Sequence, residues 1–154
     1  MKIVLVNPLI PQNAGSIGRL CAATKTPLAL VEPLGFSLED KYLKRAGLDY
    51  WPWIDVTVYK HWDEILVDGC RPWLFTKTAT KSYYDADFRE GDLLVLGSET
   101  QGLPKELLDR WSEQQLRIPM DNHNVRSLNL AQCAAVAYYE ARRQVELAGG
   151  DRHG

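Results

Sequence analysis

A chain of 154 residues with 45% hydrophobic and 25% charged side chains is long enough for one full-sized core and too short for two ordinary domains. A formal net charge of -2 excludes a basic surface spread over the whole molecule, so any nucleic-acid contact has to be a local patch. The three cysteines, Cys21, Cys70 and Cys133, are odd in number and form no C-x-x-C pair, which argues against a disulfide framework and for buried thiols in a reducing compartment.

The chain opens on the aliphatic run 2–7, read as a strand. It is too short, and too quickly ended by Pro8 and Pro11, for a signal peptide or membrane span, so a soluble, cytoplasmic protein is expected. A helix is predicted over 14–24 and a strand over 28–31. Ser37 and Asp40 then form a capping-box pattern that starts a second helix, with Gly47 placed to end it. Strands at 56–59, 73–76, 93–96 and 115–118 alternate with a short helix over 62–67 and one opened by Pro104. A long helix over 128–147 closes the series. The alternation predicts an α/β fold, a single domain over 1–148 with a mostly parallel six-stranded sheet and helices on both faces. Residues 149–154 are expected to form a disordered tail.

In the last helix Leu130, Ala134, Ala137 and Ala141 make one apolar stripe, and Cys133, Ala135 and Val136 carry apolar character onto neighbouring faces. Such a helix is covered twice, by the sheet and by a second subunit that small alanines allow to approach closely, so a homodimer through this helix is expected.

Three polar loops stand where chemistry is expected. Residues 7–19 follow the first strand and carry Gly15 and Gly18 at a strand-to-helix turn, without the full G-x-G-x-x-G fingerprint; a plain tight turn is the simpler reading. Residues 97–104 follow the buried strand 93–96, and the glycines 97 and 102 let backbone amides approach a ligand at the carboxyl edge of the sheet. Residues 118–130 lead from a strand end into the long helix, where Ser127 or Asn129 is placed either to cap that helix or to serve a ligand. A flavodoxin-like nucleotide-binding module satisfies the same pattern. His61, His123 and His153 are widely separated and have no cysteine at ligand spacing, which argues against a metal centre.

In order and spacing these loops resemble the three motifs of the SPOUT superfamily of trefoil-knotted RNA methyltransferases, over residues 13–140. The segments 32–36 (EPLGF), 45–50 (RAGLDY) and 138–141 (YYEA) are similar to the branch that methylates the 2′-hydroxyl of the tRNA wobble nucleotide. The resemblance implies a deep trefoil knot at the C-terminal end and S-adenosylmethionine held by three loops, with Thr78, Gly97, Ile118 and Ser127 as contacts. Leu96, Ile118 and Leu128 are suited to line an apolar slot for its adenine.

A ribose hydroxyl is a poor nucleophile facing an activated methyl, so alignment and help with one proton are the task, and no metal is needed. By motif position Arg19 contacts the ribose and its phosphate, Asn13 orients Arg19 or the RNA, Glu99 holds the second loop or Arg19, and Ser127 with Asn129 line the catalytic side. Because guanidinium groups stay charged in proteins, positioning and electrostatic stabilisation suit Arg19 better than general-base action. For RNA, Lys41, Lys44 and Arg45 fall on one helix face ahead of Tyr50, Trp51 and Trp53, and Arg126 and His123 lie near the cofactor loop. A compact substrate is expected: the anticodon stem-loop of leucine tRNAs, modified at cytidine or uridine 34. Ribosomal RNA is the alternative substrate for the same fold.

Overall fold

The structure is a computed structural model that describes residues 1–39, 41, 43, 45 and 48–150. Six strands, β1 (Lys2–Val6), β2 (Leu28–Val31), β3 (Val56–Tyr59), β4 (Pro72–Phe75), β5 (Leu93–Leu96) and β6 (Gln115–Leu116), form one sheet in the order β3-β2-β1-β5-β4-β6. Every neighbouring pair is parallel. Three α-helices are described: α1 (Pro11–Thr24), α2 (Lys105–Arg110) and α3 (Leu130–Gly149).

The inner strands read as apolar runs because both faces of the sheet are covered there. From β1, Ile3 and Leu5 enter one cluster with Ile17 and Cys21 of α1 and Ala134, Tyr138 and Ala141 of α3. Val4 and Val6 point the other way, into a second cluster with Leu66, Leu103 and Leu107. All four β1 side chains are fully buried, each stabilising the fold by roughly 1.5–3 kcal/mol at most.

Several boundaries shift for local reasons. Asn7 leaves β1 with a left-handed backbone (φ 55°) that turns the chain out of the strand. Helix α1 begins at Pro11, because proline fits a first turn that needs no amide donor, so Gly15 and Gly18 lie inside the helix rather than in the turn before it. Gly18 is a packing glycine: a Cβ there would sit 3.2 Å from Ile54 and 3.3 Å from Trp51. Ser37 Oγ accepts from the Glu39 amide at 3.1 Å and residues 41, 43 and 45 are helical, while Asp40, Lys44 and Gly47 lie outside the described residues. The predicted helix 62–67 is a single 3-10 turn, Trp62–Glu64, capped by His61 and Glu64. Pro104 occupies the cap of α2 rather than its first turn. Strand β6 is two residues long, although Arg117 continues it by bridging to Ser82. Of the cysteines only Cys21 is buried, its thiol pushed up to about 12 by burial; Cys70 and Cys133 are half-buried. The tail beyond Gly150, where a left-handed cap (φ 73°) ends α3, lies outside the described residues. Among the described residues no helix is long and apolar enough to cross a membrane.

Candidate functional site

Parallel strands deliver all their carboxyl ends to one edge, and the register decides which loops meet there. Phe75 of β4 pairs with Leu96 of β5 on one side and Leu116 of β6 on the other. Thr78, Gly97 and Ile118 therefore leave adjacent strands within three residues of one matched row, with neighbouring strands about 4.8 Å apart. The three loops predicted to hold a cofactor are neighbours in space.

Each loop is shaped by its own chemistry. After β4, the Thr76 and Thr78 hydroxyls lie 3.0 Å apart, and the Thr76 amide donates to Leu116 O at 2.9 Å, tying the loop to β6. After β5, Ser98 and Gly102 exchange backbone hydrogen bonds at 3.2 and 3.0 Å, closing a tight loop in which Gly102 has φ 68°. Gly97 sits against that closure: a Cβ there would lie 2.2 Å from Gly102 C, so no other residue fits. After β6, Ile118 is half-buried against the core, while residues 121–127, including His123, Arg126 and Ser127, are exposed.

A hydrogen-bonded chain joins the loop after β1 to the loops after β5 and β6. Glu99 Oε2 accepts from the Leu9 amide at 2.8 Å, and Oε1 accepts from the Ile10 amide at 3.2 Å and from Asn13 Nδ2 at 3.5 Å. Asn13, buried on α1, accepts through Oδ1 from Asn129 Nδ2 at 3.0 Å. Asn129 Oδ1 in turn accepts from the Ala131 and Gln132 amides, capping α3. Asn129 thus both caps a helix and joins the site. Helix α1 has no capping side chain of its own, since its cap residue is Ile10; Glu99 supplies a carboxylate there from the loop after the neighbouring strand β5. That contact between loops has no signature in the sequence. Neither does the bracing of the first loop by Gly35, whose amide donates to Pro8 O at 2.9 Å and whose Cβ would meet Leu9 Cα at 2.6 Å.

Arg19 stands outside this chain. Six residues beyond Asn13, about 9 Å along the helix and on another face, its exposed guanidinium lies 5.1 Å from the centroid of the Tyr50 ring. Trp51 packs on Gly18 and Trp53 is 75% exposed, while Lys41 and Arg45 are exposed on either side of the buried Leu43. Of the predicted residues, Asn13, Glu99 and Asn129 are directly bonded, Thr78, Gly97 and Ile118 share the sheet edge, Arg19 lies beside Tyr50, and Lys41 and Arg45 are exposed on the stretch before the turn 48–53. A separate hollow of about 460 Å³ opens over the ends of β1, β2 and β3, lined among others by Asn7, Glu32, His61 and Lys105, and takes in none of the predicted residues. Among the described residues no three His, Cys, Asp or Glu side chains gather as a metal ion would need.

The model of the SpoU rRNA methylase family matches residues 1–139. A tRNA (cytidine(34)-2′-O)-methyltransferase of Methylovorus glucosotrophus is 49% identical over 150 residues, 96% of this chain and 97% of that one. The enzyme of the same name from Burkholderia cenocepacia is 46% identical over 154 residues, 97% and 98% of the two chains. A solved structure concerned with the 2′-OH methylation of C/U34 on tRNA superposes with a TM-score of 0.88 at 48% identity, covering 96% of both chains. An AdoMet-bound rRNA methyltransferase from Sinorhizobium meliloti, 24% identical, shares the fold with a TM-score of 0.80 over 92% of this chain and 55% of its own. With its parallel sheet, its three loops at one edge and a relative near half identity over the whole length, the chain belongs to the SpoU methylase family.

Proposed function

We propose that this protein transfers a methyl group from S-adenosylmethionine to the ribose 2′-hydroxyl of nucleotide 34, cytidine or uridine, of tRNA. The observation that carries this is the 49% identity, over nearly the full length of both chains, to a tRNA (cytidine(34)-2′-O)-methyltransferase. Leucine tRNAs are the isoacceptors the sequence resemblance points to, the anticodon stem-loop is the part recognised, and the cytoplasm is where such a reaction belongs.

The sheet edge suits the cofactor. Adenosine asks for a thin apolar slot with backbone groups around it; Ile118 and Leu128 are half-buried, and Gly97 adds no side chain where β5 ends. Leu96 is 2% exposed and belongs to the core, so it floors the slot rather than lining it. Thr78, Gly97, Ile118 and Ser127 would hold the ligand. When bound, S-adenosylmethionine supplies an electrophilic methyl on a sulfonium sulfur. Arg19 holds the ribose and its phosphate and favours the charge that develops as the hydroxyl loses its proton. Asn13 and Asn129 fix the third loop against α1, and Glu99 fixes the start of α1, so its carboxylate is committed to amide donors rather than to abstracting a proton. Arg126, Lys41 and Arg45 attract the RNA backbone.

The knot belongs to the same reading. β6 lies at the sheet edge beyond β4, yet the next helix, α3, packs inward on α1 and β5. The segment after β4 lies against α3, with the Phe88 amide donating to Gln144 Oε1 at 3.0 Å. A chain that passes from β6 to α3 inside the loop 76–92 meets both facts. The dimer needs a change of face: Ala134, Ala137 and Ala141 are buried within the subunit, and Val136 (41% exposed), Tyr139 (52%) and Leu147 (51%) form the outer stripe of α3 for a second copy.

An anticodon stem-loop with cytidine 34 should accept one methyl group, and the same RNA with a 2′-deoxy nucleotide at that position should accept none. Equal labelling of both would overturn ribose methylation. Stabilisation against heat by flavin but not by S-adenosylmethionine would favour the flavodoxin-like alternative.

A further inference from the structure

The 3-10 turn Leu48–Trp53 is fastened to α1 by one aromatic and displays two others. Trp51 is pressed on Gly18 and packs against the core, and Pro52 inside the turn limits its freedom. Trp53 nevertheless presents 75% of its surface to water and Tyr50 39%. Single exposed apolar side chains need no explanation, but here a rigid, anchored turn holds up two rings beside charge. Arg19 lies 5.1 Å from the Tyr50 ring, and Lys41 and Arg45 are exposed on the helical stretch leading into the turn. Aromatic faces beside cations are what unpaired bases stack on, and such stacking tolerates any base because every base has a π face.

We propose that Trp53 and Tyr50 form a stacking platform for an unpaired base of the substrate RNA, adjacent in sequence to the nucleotide that receives the methyl group. The proposal rests on reading the chain as an RNA 2′-O-methyltransferase with Arg19 at the reacting nucleotide. Arg19 lies 5.1 Å from the Tyr50 ring, so a nucleotide held by Arg19 has its sequence neighbour within reach of the platform. The cations around it suit a polyanion such as an RNA backbone.

The test uses an anticodon stem-loop RNA with cytidine 34, intact or with an abasic site on either side of it. Binding is measured with S-adenosylhomocysteine present. Trp53→Ala should bind the intact RNA roughly tenfold more weakly, or worse, while Trp53→Phe stays within about threefold. One abasic RNA should bind the wild-type protein as poorly as the intact RNA binds Trp53→Ala, and should bind that variant no worse. Cofactor affinity and sedimentation of Trp53→Ala should match the wild type. Unchanged RNA binding by the alanine variant overturns the platform, as does a change in particle mass, which would assign Trp53 to an interface between copies. Should Trp53→Ala fail to fold, equal wild-type binding of the intact and both abasic RNAs overturns it independently. Failure of the enzymatic reading itself looks different, because the wild type would then transfer no methyl group to any of these RNAs.

Discussion

In the proposed reaction Glu99 and Arg19 divide the work that a single catalytic base would otherwise have to do. Two backbone amides and the Asn13 side chain surround the Glu99 carboxylate, so its replacement acts through the start of α1. Glu99→Ala should cost about 1–2 kcal/mol of stability, read from denaturant midpoints, and lower turnover. Glu99→Gln keeps one acceptor oxygen and should recover much of both, with an unchanged pH profile; loss of the acidic limb in Glu99→Gln would make it the base after all. Arg19→Ala should lower kcat by about 10²–10³-fold at unchanged cofactor affinity, in single-turnover assays. An effect on KM alone would confine Arg19 to RNA docking. That Asn13 and Asn129 belong to one site was readable in the sequence from motif position and residue type, and Arg19 was expected by resemblance. The partners of Glu99 were not, because backbone amides of Leu9 and Ile10 ninety residues away leave no mark in side-chain chemistry.

At the scale of elements, two polar anchors hold the sheet and α3 in place. Asp92, 1% exposed at the start of β5, accepts through Oδ2 from Arg71 Nη1, Trp73 Nε1 (2.9 Å) and the Arg89 amide (2.8 Å). Asp92→Ala strands all three donors and should cost about 2–4 kcal/mol in urea unfolding. On α3, Glu140 accepts from Arg143 and from Gln144, which in turn receives the Phe88 amide. The Arg143 hydrogen bonds hold the Glu140 carboxyl below the ordinary glutamate range. Because the folded-state value is lowered, this stabilisation is present at neutral pH and is lost as the pH falls through the lowered value. The gap in melting temperature between wild type and Glu140→Gln should therefore narrow toward acid pH; a constant gap would show that the carboxylate charge contributes nothing. The strands β2, β3 and β5 were legible to the residue, since β2 and β5 are aliphatic runs buried on both faces and the half-exposed edge strand β3 is β-branched and aromatic. The helix starts were not. Pro11 and Asn129 set them through the first-turn tolerance of proline and a cap that also reaches Asn13, which local periodicity does not encode.

For the whole molecule, the proposed dimer rests on the outer stripe of α3. Val136→Asp together with Tyr139→Glu should turn a dimer into a monomer by sedimentation, since charges would then face each other across the stripe. An unchanged dimer would move the interface elsewhere. The α/β class and the parallel sheet were open to pattern reading, whereas a chain passing through its own loop is invisible to periodicity and was expected only by resemblance. The most direct measurement of the central claim is transfer of labelled methyl from S-adenosylmethionine to unfractionated, unmodified tRNA, with the label located by nuclease digestion and mass spectrometry. Label on the ribose of nucleotide 34 is the predicted result; label on a base, at another position, or on ribosomal RNA alone would contradict it.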